Sequence, residues 1–292
     1  MLINKKSGLS SFDSLGKIKK AFATGKVGHT GTLDKFATGL LLVLVGRAVK
    51  LNFLFENCTK EYLGTIRFGE ETDTLDPEGA VIAAGPVPSR EEVESVLGAF
   101  RGEILQAPPE YSALHINGRR AHELAREGKI PEMKKRPAHI HELEITSWNP
   151  PLAEIRVKVS AGTYIRSLAR DIALACNSRA HLSALERTAV GPFRLEDELM
   201  VASGDSLEEL KNALHPINHE LFEALSVQWH YLDYKDAEDF TNGKPIQKLL
   251  QDFNLQKQAA AGFFKKSNPD VLLGVLVCKN GSWSYGHVFA NN

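Results

Sequence analysis

An α+β fold with a small β-rich unit at its C-terminal end is what the sequence predicts, and three observations carry that expectation. "KEYLGTIRF" puts Tyr62, Gly64, Ile66 and Phe68 on one face of a strand, and "LAEIRVKVSAG" does the same with Ile155, Val157 and Val159. "SSFDSLGKIKKAF" instead spaces Phe12, Leu15, Ile18 and Phe22 as a helix does, with Ser10 or Ser11 as its N-cap. Near residue 222 the character changes, and "VQWHYLDYKDAEDFTNGKPI" and "VLLGVLVCKNGSWSYGHVF" suggest a β-rich unit in which "KNGSW" turns between two strands.

The other elements follow in chain order. The glycine-rich "KVGHTGTLDKFATG" leads into "LLLVLV", whose continuous apolar character predicts a buried element. After the Tyr62 strand, "DTLDPEG" is a turn, with Asp73 and Asp76 as turn residues, and a short strand follows it. "SREEVESVLGAF" has a serine cap and an acidic first turn, so a short helix is expected over 89–100. Residues 107–137 are an irregular excursion bounded by prolines, in which Lys and Arg outnumber Glu and "RRAHELAREG" has the spacing of one amphipathic helix. "HIHELEITSW" and "LAEIRVKVSAG" form a strand pair, "TYIRSLARDIALAC" a helix, and "HLSALERTAVGPF" leads into a further strand. A boundary is expected at 218–227, between the helical "SLEELKNALHPINHELFEAL" and the last strands.

A length of 292 residues allows one large domain, or a large one plus a small one. Hydrophobic residues at 43% and charged residues at 24% place the chain in the ordinary globular range. The net charge of −1 gives no global sign of a nucleic-acid partner, so the position of charge carries more information than its sum. The three cysteines, Cys58, Cys176 and Cys278, lie far apart without CxxC spacing, which predicts reduced thiols in a reducing compartment. "MLINKKSGLSSFDS" lacks the apolar core of a signal peptide, and the run Leu40 to Val45 is too short to cross a membrane, so a soluble intracellular protein is expected.

Several stretches carry candidate chemistry. Gly25, Gly28 and Gly31 are spaced to let backbone N–H groups approach an anion, but the Lys-Ser/Thr ending of a P-loop and the strand-then-helix frame of a dinucleotide fingerprint are missing. Asp34, after a tight Gly-Thr-Leu segment and before a buried run, is by composition a turn carboxylate capping the next element. The same carboxylate can serve as nucleophile or base where a cation keeps it ionised. Arg166 is of the residue type that holds a carboxylate bidentately, and Tyr62 and Tyr164 are aromatics with a polar tip. His139 and His141 share one side of a strand without a third ligand, and "DTLDPEG" lacks the downstream glutamate of a calcium loop, so no metal site is expected.

Five motifs, "VGHTGTLDKFATGLL", "KEYLGTIRFGEETDTLDPEG", "YSALHINGRRAHELAREG", "SAGTYIRSLARDI" and "LSALERTAVGPF", occur in the order seen in one family. The chain resembles the TruB-type tRNA pseudouridine synthases of bacteria, most specifically over residues 1 to 200. The fold this implies is a mixed, mainly antiparallel sheet flanked by helices, with the catalytic cleft across it. A pseudouridine synthase-like catalytic domain would cover 1–222, with a basic RNA-gripping insertion at about 107–137, and a small β-rich PUA-like domain 223–292. The activity implied is isomerisation of the T-loop uridine, position 55, by base flipping. The expected partner is tRNA, through its T-arm and T-loop, with no cofactor, no metal, no guide RNA and no membrane. The expected state is a cytoplasmic monomer. A tRNA-folding chaperone without catalysis is the alternative.

The resemblance also assigns residues. Asp34 matches the catalytic aspartate, attacking the nucleotide or deprotonating its sugar, and Arg166 pairs with it. Tyr62 would stack on the flipped uracil, a contact worth about 1–3 kcal/mol. Tyr164 would meet the base near carbon 5 and remove the final proton, although an unperturbed tyrosine, with a pKa of about 10, needs help to act as a base. Leu185 matches an apolar pocket wall, and His29 a contact to the RNA where the extruded base lay. Arg119, Arg120, Arg126, Lys129, Lys134, Lys135 and Arg136 would neutralise phosphates, with Lys6, Lys26 and Arg187 as further backbone contacts. Lys35 stands where proline is usual, and Glu186 where a second basic residue is common.

Overall fold

The computed structural model describes residues 1–112, 114–116, 119–120, 133–197, 200–202, 205–253, 255 and 259–289. Among them the strands are β1 (Leu2–Lys5), β2 (Val27–His29), β3 (Thr38–Val45), β4 (Lys60–Phe68), β5 (Glu70–Thr72), β6 (Val81–Ala84), β7 (Gly102–Gln106), β8 (His115–Ile116), β9 (Arg119–Arg120), β10 (Arg136–Asn149), β11 (Leu152–Val159), β12 (Ala180–Val190), β13 (Phe193–Arg194), β14 (Met200–Ala202), β15 (Gln228–Leu232), β16 (Ala260–Lys265), β17 (Asn268–Lys279) and β18 (Ser282–Val288). The α-helices are α1 (Gly16–Ala21), α2 (Arg90–Leu97), α3 (Ile165–Ala175), α4 (Leu207–Asn212), α5 (His219–Ala224), α6 (Tyr234–Thr241) and α7 (Gln247–Asp252).

Ten strands form one sheet in the order β14-β1-β3-β12-β4-β11-β10-β7, with β13 beside β12 and β2 beside β3. Only β1–β14 and β3–β12 are parallel, so the sheet is mixed and mainly antiparallel, as expected. The period-two pattern explains the middle of it: Tyr62, Gly64, Ile66 and Phe68 of β4 all face inward, as do Ile155, Val157 and Val159 of β11. Against this face lies α3, whose Ile165, Leu168, Ala169, Ile172 and Ala173 are buried in the same cluster. The strand β12 begins at Ala180, so "HLSALERTAV" is itself a central strand.

Local capping decides several boundaries. Ser89 and Glu92 make a full capping box at the start of α2. Ser10 and Asp13 exchange backbone-to-side-chain bonds of 3.2 and 3.1 Å, and the first helix opens as a 3-10 turn at Asp13–Leu15 before α1. In the C-terminal part a second sheet runs β15-β16-β17-β18. Asn280 and Gly281, at φ of 51° and 78°, make the expected tight turn between β17 and β18. "DYKDAEDFT" is a helix, α6, because Asp233 caps it and Ala237 and Phe240 share its buried face. The boundary expected between 222 and 223 falls inside α5, whose Phe222 is buried among Leu51, Phe264 and Val275. The "RRAHELAREG" helix lies mostly outside the described residues.

Candidate active site

The segment between β2 and β3 carries Asp34, and the sequence around it is pinned by backbone bonds. Ser11 accepts from the Leu33 N–H at 2.8 Å and donates to the Leu33 carbonyl at 3.1 Å, while the Gly8 N–H donates to the Lys35 carbonyl at 2.9 Å. Lys5, with no exposed surface, donates from Nζ to the carbonyls of Lys6, Leu9 and Lys35. Burial lowers its pKa to about 8, although the Asp34 charge opposes that shift. Lys35 itself is exposed.

Arg166, in the first turn of α3, is only 4% exposed. One terminal nitrogen donates to Asp34 Oδ1 at 2.8 Å and to the Tyr111 carbonyl at 3.0 Å. The other donates to the Thr74 carbonyl at 2.7 Å and to Asp76 Oδ2 at 3.2 Å. Its Nε is buried without a hydrogen-bond partner among the described residues. Asp34 therefore shares its cation with a second carboxylate, Asp76, whose side chain is 7% exposed against 34% for Asp34. Burial pushes the Asp34 carboxyl up from its ordinary value; Arg166 opposes the shift and Asp76 adds to it.

Asp76 is a turn residue, as expected: its Oδ1 accepts from the Glu78 N–H at 3.0 Å. The sequence did not show its second role as the inner partner of Arg166, where Thr74 Oγ1 also holds it at 2.6 Å. Asp73 serves the same turn, accepting from the Ala80 N–H at 2.9 Å. Lys5 and Gln106 were also missed. A signal for Asp76 existed in Arg166 itself, since a guanidinium on an otherwise apolar helix face has more donors than one carboxylate can satisfy.

The remaining candidates fall into three groups. Tyr62 and Leu185, each 7% exposed, belong with Leu33 and Ile165 to the main apolar cluster. Tyr164 is the half-buried N-cap residue of α3, and burial raises its pKa, so the phenol keeps its proton near neutral pH. His29 ends β2, half-buried, with Nδ1 enclosed and unpartnered among the described residues; burial, then the Arg187 charge, lowers its pKa and favours the neutral ring. Lys6, Lys26, Lys134, Lys135 and Arg136 are exposed, and so is Arg119. The Arg120 side chain, Arg126 and Lys129 lie outside the described residues. Arg187 departs from expectation: it is 1% exposed and donates to the Leu40 and Gly31 carbonyls at 2.7 and 3.1 Å, so it braces the Asp34 segment from within instead of facing a phosphate. The His139 and His141 rings lie 4.5 Å apart, and no metal-holding cluster of three or more ligand side chains occurs among the described residues.

A partly exposed carboxylate held by a buried arginine, with Tyr164 close enough to feel its charge and apolar side chains of the main cluster nearby, fits a site that receives a flat ring. Residues 19–165 match the TruB family pseudouridylate synthase N-terminal domain. The chain is also 47% identical over 220 residues to a tRNA pseudouridine synthase B of Borreliella afzelii, a match that covers 73% of this chain and 78% of that one. The chain belongs to the TruB family of pseudouridylate synthases.

A second relative, the tRNA pseudouridine synthase B of Francisella philomiragia, is 44% identical over 255 residues, covering 86% of this chain and 78% of that one. Among solved structures, a chain of a Cbf5-Nop10-Gar1 complex superimposes with a TM-score of 0.68 at 23% identity, covering all of this chain and 84% of that one. A chain of an H/ACA RNP bound to a substrate RNA containing 2'-deoxyuridine gives 0.66 at 21% identity, over 95% and 77% of the two chains. These two likenesses show the pseudouridine synthase fold. As a TruB-family pseudouridylate synthase, the chain is an isomerase.

Proposed function

We propose that the chain isomerises the T-loop uridine of tRNA, position 55, to pseudouridine, with the base flipped out of the RNA and Asp34 as the catalytic carboxylate. The observation that carries this reading is the Asp34–Arg166–Asp76 array, which presents one partly exposed carboxylate on a buried cation. The names of the curated relatives support tRNA as the RNA.

In the reaction the bond from C1′ to N1 breaks, the uracil turns while bound, a C1′–C5 bond forms and the proton leaves C5. The proton lost from C5 is matched by one that the freed N1 takes up from solvent, so the isomerisation balances without a cofactor. Asp34 adds to the nucleotide or takes a sugar proton, and either role needs it ionised, which the Arg166 guanidinium favours. Tyr62 stacks on the uracil and Leu185 lines its pocket, replacing the stacking lost on flipping. Tyr164 meets the base near C5. As a protonated phenol it takes the C5 proton only while passing its own to an acceptor. His29 faces the RNA that the base has left. Lys6, Lys26, Lys134, Lys135 and Arg136 meet backbone phosphates. The basic segment supports recognition of tRNA by the protein alone, without guide RNA, as a cytoplasmic monomer with a PUA-like unit at its C-terminal end.

The test is a T-arm RNA tritiated at C5 of the target uridine. Wild-type protein is expected to release tritium, and Asp34→Ala to bind the RNA without release. Binding without release by the wild type would overturn the reading.

A further inference from the structure

Gln106 is the last residue of β7, 3% exposed, and stands directly before the basic insertion. Its carboxamide makes both halves of an antiparallel bridge to one residue. Oε1 accepts from the Tyr164 N–H at 2.8 Å, and Nε2 donates to the Tyr164 carbonyl at 3.0 Å. Tyr164 sits at the N-cap of α3 with φ −102° and ψ 111°, and its side chain does not cap the helix. The N–H and C=O on either side of its Cα are thus held by Gln106, and the phenol is left with its side-chain torsions alone. The same seam continues: the Ala107 carbonyl accepts from Ser167 Oγ at 2.8 Å and from Arg170 at 3.2 Å. A carboxamide supplies a donor and an acceptor in one plane; glutamate lacks the donor, and leucine lacks both.

We infer that Gln106 is a positioning residue for Tyr164, fixing where the phenol meets C5 of the uracil. The inference rests on the reading of Tyr164 given above. Gln106 touches no reacting atom, so its loss leaves RNA binding intact and slows proton removal. The resulting mechanism links the root of the insertion to the C5 step through two hydrogen bonds.

The experiment is single-turnover isomerisation at saturating T-arm RNA carrying hydrogen or deuterium at C5 of the target uridine. Wild type, Gln106→Leu, Gln106→Glu and Tyr164→Phe are compared, with folding checked by circular dichroism. Gln106→Leu is expected to be slower by roughly ten- to a hundred-fold, the loss that follows small misplacement of a reacting group. It should also show a larger C5 isotope effect than the wild type, with an unchanged Kd for RNA. Gln106→Glu, which keeps the acceptor, should fall between. A merely structural role would lower the amplitude and the thermal midpoint but leave the isotope effect at its wild-type value. Wild-type rate and isotope effect in Gln106→Leu, beside a slow and isotope-sensitive Tyr164→Phe, would sink the assignment of Gln106 and spare that of Tyr164. An unaltered isotope effect in Tyr164→Phe overturns both. If the leucine variant does not fold, wild-type kinetics in Gln106→Glu overturn the inference.

Discussion

Arg166 joins two carboxylates that lie far from it in sequence, and its burial gives the site its electrostatic character. A guanidinium with 4% exposure requires paired acceptors, and it has two carboxylates and two carbonyls. With burial raising the Asp34 pKa and Arg166 holding it down, an activity that needs the carboxylate is lost as pH falls through a value above the ordinary aspartate range of about 3.9. Removing the cation in Arg166→Gln raises that pKa further, so the acid limb of the residual single-turnover rate should move toward neutral pH. A limb that stays in place or moves down would refute the pairing. Asp34 and Arg166 were legible as partners because both stand in recognisable motifs. Asp76 was not, because "DTLDPEG" has the local composition of a surface turn and only the distant Arg166 gives its carboxylate an inward partner.

Elements place the site by holding the ends of the Asp34 segment. Strands β3 and β12 are parallel through Thr38–Glu186 and Gly39–Arg187, a pairing across the middle of the sheet that no local pattern announces. Gly39 has φ +99°, and a Cβ there would lie 2.4 Å from the Arg187 carbonyl oxygen. Gly39→Ala should therefore cost about 2–4 kcal/mol through strain and backbone displacement. Urea denaturation checks this, and a loss below about 1 kcal/mol would show that β3 and β12 can separate cheaply. The strands and helices themselves were largely legible, since β4, β11, α2 and α3 follow their hydrophobic periods.

At the scale of the whole molecule, the two sheets share an apolar joint. Phe222 of α5 packs with Leu51 from the N-terminal part and with Phe264 and Val275 from the C-terminal sheet. The cations expected to meet RNA come from separate parts of the chain: Lys6, Lys26 and the exposed Lys134, Lys135 and Arg136. Binding by such a dispersed set depends on salt despite a net charge of −1. Replacing Lys134, Lys135 and Arg136 together by alanine should flatten the slope of log K against log salt by about two to three, with each phosphate contact contributing roughly 0.7 to 0.9. Fluorescence titration of T-arm RNA over a salt series reads this directly; an unchanged slope would remove these three residues from the RNA surface.

The sequence by itself determined most strands and helices up to residue 190 and the chemical groups available to the site, because periodicity and motif are properties of neighbouring residues. Tertiary structure alone decided the fate of individual polar side chains. Arg187 was turned inward to brace a loop, Asp76 became the second carboxylate on Arg166, and Gln106 was matched to the backbone of Tyr164. The physical reason is the same in each case. A buried donor or acceptor must find a partner wherever the chain brings one, and these partners lie from 58 to 156 residues away.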